Sequence, residues 1–442
     1  MKINTFYSDV NNKWLKRHRI PADDDSVSIF DILEERIRKQ CITLIKAEAK
    51  QETKMGHYIH SIYYGRQNDF RFIETFLHDH ITGIKTKSDL FRVMGLLRSY
   101  SLRTPIEIDI DTDMYDNSKY NVILNEPIIG ILKSDFEEKG ETYKRYKKFL
   151  DDYFKAAGLD GHLKFLEIEE AIAKIKDDPQ DTTQPELENN TVNFDILSTR
   201  YPHIDFDSLF DGFGIPNVLR HRINYTITNL KFMDLLNSWG RNNLDFWKTL
   251  LQQMAIVSLS GILHEPFRSI HHEFFLKFQQ GISRQYDRDR EAFVICDDTI
   301  QNLLGKKLVE SRKAEFAKIK TEATKICRQV LATTKLRIRR LNWMSDGTKH
   351  IAIDKVDHMG LLVGYPDVWL DELKHVHVDK QIFLANLLLL RKQATIASIK
   401  KLQQVRDKRI WDYGCYDVNA YYITNLNCMI IPLGFLQDPF FG

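Results

Sequence analysis

Asn419-Ala420-Tyr421-Tyr422 and, after a short polar stretch, Ile431-Pro432-Leu433-Gly434-Phe435-Leu436-Gln437-Asp438-Pro439-Phe440-Phe441-Gly442 close the sequence. The two segments read as a strand pair, with aromatic and β-branched residues on either side of a polar connection. Upstream, strand signals are few and most of the chain reads as helix. Apolar residues at Phe30, Leu33, Ile37, Ile42 and Ile45 keep close to a 3.6 period and predict a helix over Ile29 to Glu48. Asp25 or Ser28 is placed to cap it, since either side chain can accept from the free amides of a first turn. The same periodicity predicts helices over Lys144 to Ala157, Leu163 to Ile175, Asn229 to Ile262 and Lys313 to Trp343.

A second strand signal interrupts the helices. Ile106-Glu107-Ile108-Asp109-Ile110-Asp111 alternates strictly, turns at Asp116-Asn117-Ser118 and returns as Tyr120-Asn121-Val122-Ile123-Leu124, a hairpin with one wet face. Between Asp177 and Asn193 the sequence is almost wholly polar with two prolines, which predicts a surface linker or long loop.

Composition excludes several function classes. With 442 residues and 43% hydrophobic content the chain can bury one large or two ordinary cores. Its 63 basic and 61 acidic residues nearly cancel, which gives no reason to expect nucleic acid. The basic run Lys335, Arg337, Arg339 and Arg340 has no aromatic platform beside it and reads as a solvated helix. Leu387 to Leu390 is closed off by Arg391 and Lys392, far too short to cross a bilayer. No apolar leader occupies the first thirty residues. Cys41, Cys296, Cys327, Cys415 and Cys428 are odd in number and widely spaced, so the expectation is an intracellular, cytoplasmic protein without a disulfide framework.

Catalytic motifs are missing. A mononuclear zinc peptidase commonly sets two histidines at i and i+4 on one helix with a glutamate between them. His264-Glu265 meets Arg268 at the fourth position and His272-Glu273 meets Leu276, so neither forms the motif, and the inverted form is absent too. His78-Asp79-His80 and His375-Val376-His377 each offer two ring nitrogens without an identifiable third ligand. Asp109, Asp111, Asp113 and Asp116 fail as a calcium loop, because the sixth and twelfth positions are Met114 and Tyr120. No Walker loop, G-x-S-x-G or G-x-G-x-x-G is present. No catalytic or metal-ligating residue is therefore assigned.

Four segments, in order, resemble the neprilysin and endothelin-converting-enzyme family of zinc metallopeptidases. Phe6-Tyr7, Val10-Asn11-Asn12-Lys13-Trp14-Leu15, Ile20-Pro21 and Phe30-Asp31-Ile32-Leu33 are similar to its opening segment. The Asp109 to Leu124 hairpin carries Asp111, Ser118 and Tyr120 on a D-x-D…S-x-Y pattern. Leu341-Asn342-Trp343-Met344, Thr348-Lys349, Ala352, Lys355 and Gly364-Tyr365-Pro366 follow its L-x-W-M…T-K…A…K…G-Y-P run. The closing segment matches N-A-[YF]-Y…P-A-G-I-L-Q-x-P-F-F, which in the family precedes HExxH.

The resemblance implies a mainly α fold: a large helical lobe with a few short β-hairpins, plus the incomplete start of a thermolysin-like α+β lobe. It implies an opening segment over 1–28 packing on the catalytic-like lobe, a helical lobe over 29–375 and a partial thermolysin-like lobe over 376–442. Peptide substrates in such a fold add to a sheet edge through backbone hydrogen bonds. By resemblance the peptide-binding residues are Asn419, Ala420, Tyr421, Phe435, Phe440, Phe30 and Asp31. The family often has an arginine four residues before that phenylalanine; Ser26 stands there. The zinc ligands, catalytic glutamate and transition-state histidine of the family have no counterpart in these residues.

The expected function is thus a catalytically inactive, peptide- or protein-binding or structural pseudopeptidase. The alternative is the substrate-binding half of a split or truncated zinc metalloendopeptidase, with zinc only if another chain supplies the missing lobe. A peptide or protein ligand is the expected partner, with self-association or a partner chain at the carboxyl-terminal strand edge, and no nucleic acid or membrane. In the family the zinc lobe completes that sheet, so Tyr421, Tyr422, Ile430, Ile431, Phe435, Phe440 and Phe441 are expected to lose much of their cover.

Overall fold

Ser28 settles where the first predicted helix begins: its hydroxyl accepts the Asp31 amide at 3.3 Å and the helix runs Ile29–Glu48, burying Leu33, Ile37, Cys41 and Ile45 on one face. The computed structural model describes residues 3–113, 116–159, 161–176, 190–407, 409–411 and 413–442. Most of the polar stretch predicted as a linker, 177–189, lies outside the described residues. The architecture is mostly helical with two small sheets, as expected.

The chain divides into two compact units, each discontinuous in sequence. One comprises His60–Leu276 and His375–Arg406. Its sheet has the order β1-β2-β4-β3, from β1 (Glu107–Thr112), β2 (Tyr120–Asn125), β3 (Thr191–Val192) and β4 (Tyr225–Ile227). β1 and β2 form the predicted antiparallel hairpin, Ile108 opposite Leu124, and β4 joins β2 in parallel. The hairpin's carboxylates are held separately rather than around one ion. Asp109 meets Arg98 at 2.8 Å, Asp111 faces Arg406 at 3.8 Å, Asp113 accepts from Asn121, and Asp116 accepts Ser118 and Lys119.

The expected single helix over Asn229 to Ile262 is two helices, Leu230–Trp239 and Leu244–Val257. Gly240 ends the first where a Cβ would lie 2.5 Å from the His203 carbonyl oxygen, and Asn243 caps the second by accepting the Phe246 amide at 2.9 Å. Two other glycines let helices touch backbone to backbone. A Cβ on Gly95, in helix Lys87–Ser99, would lie 1.9 Å from the Leu209 carbonyl oxygen of helix Phe206–Phe213; one on Gly212 would lie 1.9 Å from that of Arg92. The later segment is sewn to the earlier one by buried polar contacts. Asp69 accepts the Leu384 amide at 2.9 Å and Asn386 donates to Ser61 at 3.0 Å, at the start of helix Phe383–Lys401. That helix holds Leu387 to Leu390, with three of the four leucines buried.

The other unit comprises Met1–Ile59, Lys277–Lys374 and Asp407–Gly442. Helix Arg288–Ser311 packs on helix Ile29–Glu48 and bends at Ile300, where φ is −133°. The bend leaves the amides of Asn302 and Leu303 without helical acceptors, and the Glu372 carboxylate takes both, at 2.7 and 3.3 Å. A three-stranded sheet has the order β5-β7-β6, from β5 (Gly360–Gly364), β6 (Tyr421–Ile423) and β7 (Cys428–Pro432). The predicted closing strand pair is β6 and β7, antiparallel with Tyr421 opposite Ile430; β5 runs parallel to β7. Ile430 is buried, contrary to expectation, because β7 is the central strand; Tyr422 is exposed and Tyr421, Ile431, Phe435, Phe440 and Phe441 are half-buried. Larger exposure falls elsewhere. Helix Lys313–Arg339 buries only Phe316 and Ala323, and helix Asp346–Asp357 buries nothing. Ile326, Val330, Leu336, Trp343 and Ile351 stand exposed on or between these two helices.

Candidate functional site

The sheet that ends the chain leaves β6 with a single strand neighbour, β7, among the described residues. Its other edge offers backbone groups to an incoming extended chain. Asn419 and Ala420 precede the strand rather than lie in it. Both are exposed, and the Asn419 side-chain oxygen accepts the Ala420 amide at 2.8 Å. Tyr421 is stacked on Tyr413 with ring centroids 3.9 Å apart. Its hydroxyl donates to the Asp417 carboxylate at 3.3 Å.

Beside the strand three aromatic rings meet. Phe30, in the first turn of helix Ile29–Glu48, lies 4.6 Å from Phe440 and 6.3 Å from Phe435; Phe435 and Phe440 are 4.9 Å apart. The turn after β7 carries the last two, and Arg36, on the same helix as Phe30, donates to the Asp438 carbonyl. Asp31 is spent locally: its amide caps onto Ser28 and its carboxylate accepts the Ser26 hydroxyl at 3.2 Å. The structure therefore brings Phe30, Phe435 and Phe440 together and sets Asn419, Ala420 and Tyr421 at the strand edge. Asp31 acts on its own helix start.

Sequence reasoning missed the cleft beneath the strand, of about 250 Å³, lined by Glu34, Phe293, Asp297, Asp417, Asn419 and Tyr421. Burial pushes the Asp417 carboxyl up to about 7, helped by the charges of Asp297 and Glu34 and opposed by the Tyr421 hydroxyl. Burial also raises Asp297, which accepts the Tyr416 hydroxyl at 2.7 Å, and raises Glu34. Behind them the Cys41 thiol is buried and pushed up to about 12. None of the five cysteines forms a disulfide. A signal for Glu34 was available, since it lies one helical turn from Phe30 on the same face. Asp297 and Asp417 had none, because nothing local links the residues of three distant segments.

Among the described residues no group of three or more His, Cys, Asp or Glu side chains is placed to hold a metal ion. His78 and His80 lie on helix Asp69–Ile81, where side chains two apart diverge. No described helix is long and apolar enough to cross a membrane.

Known proteins resemble this chain over most of its length. Residues 4–366 match the model of peptidase family M13. Mouse membrane metallo-endopeptidase-like 1 is 22% identical over 99% of the chain and 63% of its own length. Human neprilysin is 22% identical over 79% of the chain and 50% of its own length. Among solved structures, the zinc metalloprotease Zmp1 of Mycobacterium tuberculosis, in complex with inhibitor, superposes with a TM-score of 0.85. Identity there is 21%, over 99% of the chain and 68% of that protein. The matched regions thus cover 40–64% of the lengths of the curated relatives, and the fold shared with Zmp1 extends over nearly all of this chain.

Proposed function

The chain belongs to peptidase family M13, and on that premise we propose that its edge strand β6 and the Phe30–Phe435–Phe440 triangle grip an extended peptide without cleaving it. The observation that carries this reading is the triangle itself, half-open beside an edge strand with backbone groups to spare. The peptide backbone pairs with β6, oriented by Asn419 and Ala420, and an apolar side chain enters between the rings. Covering such a side chain yields about 1.5–3 kcal/mol, enough to fix which residue of the peptide is chosen.

The zinc named for the tuberculosis relative finds no ligand set here: the 442 residues hold no His-Glu-x-x-His, and the described residues hold no metal-ligand cluster. No bond-breaking step follows from these side chains.

A second reading has its own support. The apolar face of helices Lys313–Arg339 and Asp346–Asp357 is exposed, and the relatives carry a further third or more of sequence. On this reading the chain is the substrate-binding part of a zinc metalloendopeptidase whose zinc-bearing part covers that face.

Fluorescence anisotropy with a labelled Gly-Gly-Phe-Leu-Gly-Gly peptide tests the first reading. Phe440→Ala should weaken binding about tenfold, the equivalent of roughly 1.4 kcal/mol. The peptide should stay intact by mass spectrometry with zinc added. Equal binding by wild type and Phe440→Ala, or none by either, refutes it.

A further inference from the structure

A cavity of about 480 Å³, the size of a small-molecule site, lies within the unit that holds His60–Leu276. Two ionic clusters build the polar part of its wall. Arg103 and Tyr146 both reach back to Glu169, which is 1% exposed and accepts each of them at 2.6 Å and the Gly130 amide at 3.1 Å. A Cβ on Gly130 would lie 2.1 Å from the Tyr146 hydroxyl oxygen, so glycine is what lets three donors converge on one carboxylate. Arg98 is spent on every side, on Glu107 at 2.6 Å, Asp109 at 2.8 Å and the Ile108 carbonyl at 3.3 Å. Ser258 donates to the Ala255 carbonyl at 2.7 Å, and the Ser260 hydroxyl lies 3.1 Å from His271 Nδ1.

One buried donor on this wall stays unmet. Arg103 Nε has no acceptor among the described residues, and buried polar atoms without a partner are rare in folded proteins. Two residues earlier, Ser101 also lines the cavity and holds φ at +54°. It follows helix Lys87–Ser99, where the Leu102 amide turns back to the Leu97 carbonyl at 3.2 Å, a left-handed position that glycine ordinarily takes. Serine there strains the backbone and sets an exposed hydroxyl on the wall.

Another part of the wall is apolar. Phe149 and Phe275 meet edge to face with centroids 5.0 Å apart, beside Val257, Ile129 and the exposed Ile128. Phe275 sits on the π-helical stretch His272–Gln279, a widened turn that recurs at functional sites.

Charge decides which head group fits. Two guanidinium groups meet three carboxylates, those of Glu107, Asp109 and Glu169, so a further anion finds no free cation. An ammonium head carries donors alone and would leave Arg103 Nε unmet. A neutral carbonyl oxygen satisfies it. We propose that this cavity binds a small uncharged amphiphile, an alkyl or arylalkyl amide, with its oxygen on Arg103 Nε and the Ser101 hydroxyl and its apolar body against Phe149 and Phe275. The site stands apart from the peptide-binding reading, because β6 and the phenylalanine triangle belong to the other unit.

Ligand-observed NMR titration of the full chain with 4-phenylbutanamide, 4-phenylbutanoate and 4-phenylbutylamine at pH 7.5 tests the site. The amide should bind saturably with Kd below about 1 mM, and both charged analogues at least about tenfold more weakly. Ser101→Gly relaxes the left-handed backbone, so its fold is kept, and it should weaken amide binding about fivefold through the lost hydroxyl. Phe275→Ala should weaken it about tenfold through the lost ring. Absence of saturable amide binding overturns the proposal, as does either charged analogue binding as tightly as the amide. Unchanged amide affinity in Ser101→Gly overturns it too, and that variant decides alone if Phe275→Ala does not fold.

Discussion

Phe30 and Phe440, from opposite ends of the chain, place their ring centroids 4.6 Å apart. Tilted aromatic pairs at this spacing contribute about 0.5–1.5 kcal/mol beyond the area they bury. Phe30 is 42% exposed, so the contact is a surface clasp rather than part of the core. Phe30→Ala and Phe440→Ala should each destabilise modestly, and a double-mutant cycle in urea should return a coupling within that range. Strict additivity would place the rings out of contact in solution.

Gly95 tests the backbone contact between helices Lys87–Ser99 and Phe206–Phe213. With the Leu209 carbonyl oxygen 1.9 Å from the position a Cβ would take, Gly95→Ala must push two helices apart. A cost of about 3 kcal/mol or more, or loss of folding, is expected, at the upper end for overpacking. Gly83→Ala is the control, since its Cβ would find nothing nearer than 3.9 Å. Thermal melts of the two variants should therefore differ sharply.

How much of this was legible depended on whether the signal was local. The Ile29–Glu48 helix was readable because cap and period agree at Ser28 and along its apolar face. The break at Gly240 was not, because apolar periodicity continues on both sides of it and only the approach of His203 decides the matter. Ile430 was taken for exposed because the neighbour that covers it, β5, carries no strand pattern distinct from a short glycine-flanked apolar run. The residues at the strand edge and the aromatic triangle were named through family resemblance alone. The Asp297–Asp417 cleft joins segments far apart in sequence, and no local pattern announces it.

Asp69 makes stability depend on pH. Burial pushes its carboxyl up to about 7, against an ordinary 3.8, although the Leu384 amide and the Arg66 charge both favour the ionised form. A group raised in the folded state binds its proton more tightly there, so its contribution is complete below about pH 4. It is lost as pH climbs towards 7. Asp69→Asn keeps an oxygen for the Leu384 amide and never ionises. It should match wild type in urea near pH 4 and exceed it by about 1–3 kcal/mol at pH 7.5. Parallel curves for the two proteins across that range would contradict the assignment.

Arg220 is buried and closes a clasp on the Phe206–Phe213 helix. Its guanidinium reaches Asp207 and Asp211 at 3.0 Å each and donates twice to the Ile215 carbonyl, at 3.0 and 3.1 Å. The two aspartates are exposed and rehydrate when the arginine is removed, so little is lost through them. The Ile215 carbonyl has no such escape, and leaving a buried acceptor unmet costs about 1–3 kcal/mol. Arg220→Met fills much the same space without the donors and should lose that amount in chemical denaturation. Asp207→Asn should lose under about 1 kcal/mol, and a larger loss there would shift the weight of the clasp from the carbonyl to the ion pair.

Trp343, in the connection between two helices, is 77% exposed, and Ile326, Val330 and Ile351 stand exposed on those helices, which bury almost nothing. Scattered apolar residues on a surface are ordinary; several on one pair of adjoining helices make a face that water disfavours. The pair is held together from the other side, by Lys335 to Asp357 at 2.5 Å among other contacts, so the apolar face is not needed for its own fold. Replacing Ile326 and Val330 with aspartate should therefore shift the denaturation midpoint by less than about 0.5 kcal/mol per site. It should, however, remove concentration-dependent association at micromolar protein, read by sedimentation velocity. Wild type sedimenting as a monomer over that range would show the face to be inert by itself and would leave only a zinc-bearing partner as its cover. A double variant that associates as well as wild type would move the contact to the open edge of β6.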